Sequence, residues 1–283
     1  MRNRSISAAA PRTSRVQPAA GTAAFCYMMR EGTSDQLADY YGNGPDLTLD
    51  GTLTNVWDNP GFVTLSGDNL CEVTYADEDA MRASIFWKVG QLTNLPVNHV
   101  ILAYDEYLAA DPASGTHVFN FGRSTLEAVG GYRITMTTAG VVRISGREVG
   151  GTSETGTGLD DVTSALGASP LQHLIEIEGQ SDPGNVTVHH YVDGILEASE
   201  TWLTTAAAAT IGSQFGTTAS SNEWRDVIFA RAGGGSTNDL IHPGGQFSRL
   251  LGYQGAYDAT LAEALAKELT DNRYEAPTLL YNR

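Results

Sequence analysis

The stretch Asn185–Ser199 reads N-V-T-V-H-H-Y-V-D-G-I-L-E-A-S. Residues alternate with period two up to Asp193-Gly194 and resume beyond it. Such a dipeptide between alternating runs is the strongest short-range signal of a two-residue β-hairpin, because both central residues of a type I′ turn need positive φ. A two-residue turn sets Val192 opposite Ile195 and Tyr191 opposite Leu196, so each side of the ribbon carries apolar surface near the turn. That suits an antiparallel sheet packed on a second sheet, with its outer face partly covered.

The same grammar recurs outward along the chain. Thr22–Met29 (T-A-A-F-C-Y-M-M) reads as a first buried strand, and Asp39–Thr54 mixes turn residues with the alternating Leu47 and Leu49. Gly61–Tyr75 reads as two strands joined at Ser66-Gly67-Asp68-Asn69, and Ala83–Val89 (A-S-I-F-W-K-V) as a core strand. Ala103–Thr116 reads as an acidic insertion, and Gly146–Pro170 and Arg231–Gly245 as long Gly/Ser/Thr/Asp-rich loops. Loops of that length inside a compact domain are usually functional or mobile. One convincing helix follows Gly245–Tyr257. Thr260 with Glu263 forms a capping box, Leu261, Leu265 and Leu269 share a face, and Lys267 and Arg273 sit toward the end.

Abundant glycine (31 residues) and sparse charge (18%) in 283 residues fit an all-β fold with many turns. The net charge of −16 argues against a nucleic-acid-binding body, which needs a basic surface. Positive charge collects instead at the N-terminus, where Arg2, Arg4, Arg12, Arg15 and Arg30 precede the first acid, Glu31. Residues 1–21 are a basic arm rich in Ala, Ser and Pro, expected to be disordered alone and to order on a partner. The arm lacks the apolar segment of a secretory signal, and no run is long enough to span a membrane. Cys26 and Cys71 make no disulfide framework and read as thiols buried in strands.

Candidate chemistry is thin. Glu176-Ile177-Glu178 is the nearest approach to the pair of carboxylates that glycoside hydrolysis needs, but a strand with one solvated face has the same pattern. Asp68, Asn69, Asp160, Asp161, Asp182, Asn185 and Asp193 offer loop oxygens to calcium, yet turns use Asp and Asn for conformational reasons anyway. His189 and His190 are adjacent, so a strand points them to opposite faces and denies them a joint site. Trp57 and Trp224 are candidates for stacking on sugar rings, with Trp87 and Trp202 read as core. Leu279, Leu280 and Tyr281 form an apolar C-terminal tail of the kind that anchors on a neighbour.

The order of these pieces resembles the laminin G-like, or concanavalin A-like lectin/glucanase, jelly-roll superfamily. The matches are Asp46–Gly51, Gly61–Val73, Ser84–Val89, Gly131–Ser145, Gln172–Ile175, Val192-Asp193-Gly194, Thr210-Ile211-Gly212 and the closing strand and helix. The resemblance implies an antiparallel β-sandwich over 22–274 with a short C-terminal helix, a flexible N-terminal arm (1–21) and a tail (275–283). With no catalytic triplet, it implies a non-enzymatic structural protein of a bacteriophage virion, a capsid decoration or fibre component made in the host cytoplasm. Its partners would be a major capsid or tail protein and further copies of itself, docked through Arg2, Arg4, Arg12, Arg15 and Leu279–Tyr281. The alternative is a carbohydrate-binding, lectin-like module that takes a surface glycan, and a third reading is a degenerate glycoside hydrolase. No cofactor is implied beyond calcium at the loop carboxylates.

The hairpin yields a direct test. Gly194→Val puts a β-branched side chain at positive φ, and urea titration should show a loss of roughly 1–3 kcal/mol. An unchanged midpoint would mean a different turn.

Overall fold

The computed structural model describes residues 23–28, 36–49, 56–58, 62–64, 71–74, 76, 78–85, 98–107, 116–121, 131–136, 141–147, 153–161, 171–179, 185–203, 225–228, 246–273 and 275–280. The arm, with Arg2, Arg4, Arg12 and Arg15, lies outside them, as do Thr210–Gly212 and the loop 231–245. Two eight-stranded antiparallel sheets make a β-sandwich. The first holds β1 (Ala23–Tyr27), β4 (Val56–Asp58), β5 (Phe62–Thr64), β7 (Asn98–Tyr107), β12 (Leu171–Gly179), β13 (Asn185–Val192), β14 (Ile195–Leu203) and β16 (Gln246–Ala256). Their order is β14-β13-β12-β7-β16-β5-β4, with β1 also on β16. The second holds β2 (Gln36–Leu37), β3 (Leu47–Leu49), β6 (Cys71–Thr74), β8 (Thr116–Phe121), β9 (Gly131–Met136), β10 (Val141–Arg147), β11 (Ser153–Asp161) and β15 (Arg225–Ile228). Its order is β11-β10-β9-β8-β15-β6-β3-β2. Among the described residues the helices are α1 (Glu78–Ala83) and α2 (Leu261–Asp271).

The β13–β14 hairpin has the register that its turn dictates: Val192 faces Ile195 and Tyr191 faces Leu196. Asp193 and Gly194 both have positive φ, 48° and 80°. Between His190 and Tyr191 the register shifts, leaving Glu197 of β14 as the extra residue of a bulge. Cys26 is a buried thiol, not half of a disulfide.

Several sequence expectations are corrected. β5 and β6 are strands, but they belong to different sheets and do not pair with each other as a hairpin. Turn-forming residues such as Ser66–Asn69, which lie outside the described residues, are silent on which sheet the next strand joins. Ala83 ends α1 and Ser84 is a bend, so the strand expected from Ala83 does not begin there; 86–89 lie outside the described residues. The expected insertion from Ala103 begins inside β7, because Asp105 and Glu106 find buried partners and the strand continues through them. Part of the expected loop 146–170 is likewise strand β11.

Helix α2 lies on the outer face of the first sheet. Leu261, Ala262, Leu265, Ala266 and Leu269 pack on Ala24, Cys26, Met28, Ile101, Ala103, Leu174, Tyr191, Leu251 and Tyr253. Each leucine taken fully out of water contributes about 1.5–3 kcal/mol, which fastens a helix too short to persist alone. The capping box does not form. Thr260 has helical dihedrals (φ −101°, ψ −13°) and makes no side-chain cap. Asp258 does that work, accepting from Thr260 N at 2.9 Å and Thr260 Oγ1 at 2.7 Å, while Glu263 turns to Lys267 at 2.5 Å.

The other helix end is closed by Arg249, only 1% exposed. Its guanidinium donates to the carbonyls of Leu269 (2.7 Å), Asn272 (3.0 Å) and Glu275 (2.9 Å) and to Asp105 Oδ1 (3.0 Å). Burial raises the Asp105 carboxyl to about 6 against the pull of Arg249, which still leaves it ionised at neutral pH. The tail expected to face a neighbour turns inward instead. Leu280 is 2% exposed in the helix–sheet core and Leu279 packs beside it. Glu268 accepts from Thr278 N, Thr278 Oγ1 and Leu279 N, and Tyr41 donates to Pro277 O at 3.0 Å.

The opposite face of the same strands carries a buried polar chain. Glu106 Oε1 lies 3.0 Å from His173 Nε2, and His173 Nδ1 lies 3.0 Å from His190 Nε2. Tyr104 stacks on His173 with centroids 4.8 Å apart. Burial, then the neighbouring His173, pushes His190 well below the ordinary histidine range.

Two outcomes are expected. Arg249→Met should cost about 3–5 kcal/mol in urea titration by stranding the Asp105 charge, and adding Asp105→Leu should restore much of it. A single-variant loss under ~1 kcal/mol would contradict the clamp. His190 has a folded value depressed below 6.5. Its contribution is therefore present above 6.5 and lost as pH falls, because only the unfolded chain takes up the proton, at up to about 1.4 kcal/mol per pH unit. Asp105, raised in the fold, acts with the opposite sign between about 6 and 3.8. The comparison with His190→Gln isolates the histidine: the variant should have the flatter acid limb, and parallel limbs would refute the assignment.

Candidate functional site

Where α2 starts, the outer face of the first sheet is left open and polar. The cross-strand register builds this end. Glu176 lies between Ile101 and His189, with Ser199 beyond His189, and Glu178 lies between His99 and Thr187. Period two brings Glu176 and Glu178 to one face of β12 together with Leu174, and turns His173, Ile175 and Ile177 to the other. Just past β16, Tyr257 brings its ring over this corner, 5.3 Å from the His99 ring at an interplanar angle of 56°.

The floor is built from groups that fix one another. Glu176 is held between His99 Nε2 on one oxygen and the Tyr191 hydroxyl, which donates to Oε2 at 3.2 Å. Burial, then the Glu176 charge, raises the Tyr191 phenol far above its ordinary range. His99 is fully buried, and its Nδ1 has no hydrogen-bond partner. The rim is accessible. The Tyr257 residue is 38% exposed, and the side chains of His189 and Glu178 are 22% and 16% exposed. His189 Nε2 lies 3.7 Å from Glu178 Oε2, and its Nδ1 lies 2.7 Å from Ser199 Oγ. Desolvation raises the Tyr257 phenol first, followed by the charge and hydrogen bond of Glu178 and the charges of Glu176 and Asp258. An aromatic ring thus stands beside a carboxylate, an imidazole and a hydroxyl, a set that stacks on one face of a ligand and exchanges hydrogen bonds with its edge.

The residues singled out in sequence fall elsewhere, except for Glu176, Glu178 and His189. Trp57 lies on β4 opposite Val63, and Trp224 lies outside the described residues. Asp160 and Asp161 are not loop residues: they pair with Val142 and Val141 as the end of β11. Asp182 and Tyr281 lie outside the described residues. The Asp193 carboxylate is engaged by Gln172 N at 2.9 Å and Arg273 at 2.7 Å, which ties the hairpin turn to the end of α2. Among the described residues no three His, Cys, Asp or Glu side chains gather as a metal-binding set, and no helix is long and apolar enough to cross a membrane. Sequence reasoning missed His99 and Tyr257. The available signal was polar residues at the ends of two otherwise apolar strand runs, where a sheet's rim is built.

No protein-family model matches the sequence, and no curated protein does. Similarity appears among solved structures. The binding domain of botulinum neurotoxin DC in complex with rat synaptotagmin II superposes with a TM-score of 0.50 at 12% identity, over 88% of this chain and 51% of that one. A structure of botulinum neurotoxin type C, whose cell entry depends on interaction with two ganglioside molecules, gives 0.51 at 8% identity, over 90% and 52%. The chain thus spans about half the length of these two structures. At such identities the likeness is one of fold, a β-sandwich.

Proposed function

We propose that this chain is a non-enzymatic carbohydrate-binding module of lectin type, with its glycan seated on Tyr257, Glu178, His189 and Ser199. The observation that carries the reading is the exposed Tyr257 ring beside hydrogen-bonding groups that a buried floor holds in place. Sugars present an apolar ring face and a polar edge, and a ring flanked by fixed polar groups meets both. The ganglioside dependence of botulinum neurotoxin type C gives this architecture a receptor-binding precedent, although a shared fold alone assigns no function. Acid–base chemistry has less support, because both Glu176 oxygens are engaged by His99 and Tyr191.

We extend the proposal to a module carried on a bacteriophage virion, made in the host cytoplasm and docked on a capsid or tail protein. The support is the basic arm, Arg2, Arg4, Arg12 and Arg15, on an otherwise acidic chain.

Glycan-array binding tests the main reading. Tyr257→Ala should leave the thermal midpoint nearly unchanged and weaken the retained glycans by about tenfold, the effect of losing one aromatic stacking partner. A wild-type protein that retains no glycan, or a variant that retains them all undiminished, would refute it.

A further inference from the structure

Resting on the glycan-binding reading above, we propose that the ligand carries a protonated amino sugar, seated with its ammonium between the Glu178 carboxylate and the Tyr257 ring. The charges that raise the Tyr257 phenol belong to carboxylates, Glu178 first, then Glu176 and Asp258, and Tyr257 stands over the corner on the His99 ring, 5.3 Å away. Lys267, on the adjoining helix, is bound to Glu263 at 2.5 Å. An anionic sugar, whether sialate, uronate or sulfate, would enter a negative field where, among the described residues, no guanidinium fork of the kind carboxylates and sulfates favour is offered.

A neutral sugar gains nothing from this field, whereas an ammonium gains twice. It forms a charge-assisted hydrogen bond to Glu178, whose side chain is 16% exposed and therefore reachable. It also sits against the electron-rich face of Tyr257. The polar groups of the corner do not close on themselves, because His99 Nδ1, fully buried against the Tyr257 ring, is left without a partner. The acidic chain, at −16, draws a cationic glycan toward the site from a distance.

Calorimetric titration of the full chain with glucosamine oligomers, their N-acetylated counterparts, sialyllactose and oligolysine tests the proposal. The free-amine oligomer should bind roughly tenfold tighter than the N-acetylated one, and sialyllactose should be the weakest sugar. In Glu178→Gln, with an unchanged thermal midpoint, the amine preference should collapse while residual sugar binding persists. Equal affinity for amine and N-acetyl oligomers, or stronger binding of sialyllactose, overturns the charge assignment and leaves the glycan reading standing. Binding of oligolysine as tight as that of the amine oligomer, insensitive to Glu178→Gln, reduces the effect to general attraction and overturns the site. Failure of every sugar to bind removes the glycan reading itself.

Discussion

A buried guanidinium organises one whole side of this molecule. Arg249 projects from β16 and spends its donors on Asp105 and on the carbonyls of Leu269, Asn272 and Glu275, at and just beyond the end of α2. A lone buried cation is prohibitively costly, but one whose hydrogen bonds are met becomes a rivet. The rivet fixes which end of the sheet the helix closes. With the C-terminal end held beside Asp105 and Asp193, the helix start falls over the Glu176–Glu178 corner and leaves that corner open. The accessible polar surface is what the helix does not cover.

The strands of the first sheet therefore carry polar groups on both faces for different reasons. On the interior side Glu106, His173 and His190 stand in a dry file, where low dielectric makes each missing partner expensive. On the exterior side His99, Glu176 and Tyr191 are just as buried, but Glu178, His189 and Tyr257 continue the set to solvent. The first arrangement ends in the core and the second ends at the surface. That difference is why the exterior set is the one read as a binding site.

Local chemistry was legible in the sequence. Asp193-Gly194 gave the turn and its register, the separate directions of His189 and His190 followed from strand geometry, and the leucine spacing of α2 gave its buried face. Long-range pairing was not legible. Asp105 and Glu106 read as loop residues because their partners, Arg249 and His173, lie far away in sequence. Leu280 read as exposed because nothing local reports that Tyr41 and Glu268 tie the tail down. The aromatic at the site was missed for the same reason: Tyr257 acquires meaning only when the register sets Gly255 beside His99 and His99 beside Glu178.

The bulge at Glu197 bears on how copies of this chain can meet. β14 ends the first sheet among the described residues, and a terminal strand ordinarily offers its free amides and carbonyls as a template for another chain. One extra residue twists the strand and breaks the even spacing of those groups, so a second strand aligned at one end falls out of step at the other. Exposed Glu197 adds a negative charge where that strand would lie. This edge of the first sheet is thus guarded against extension by a second strand.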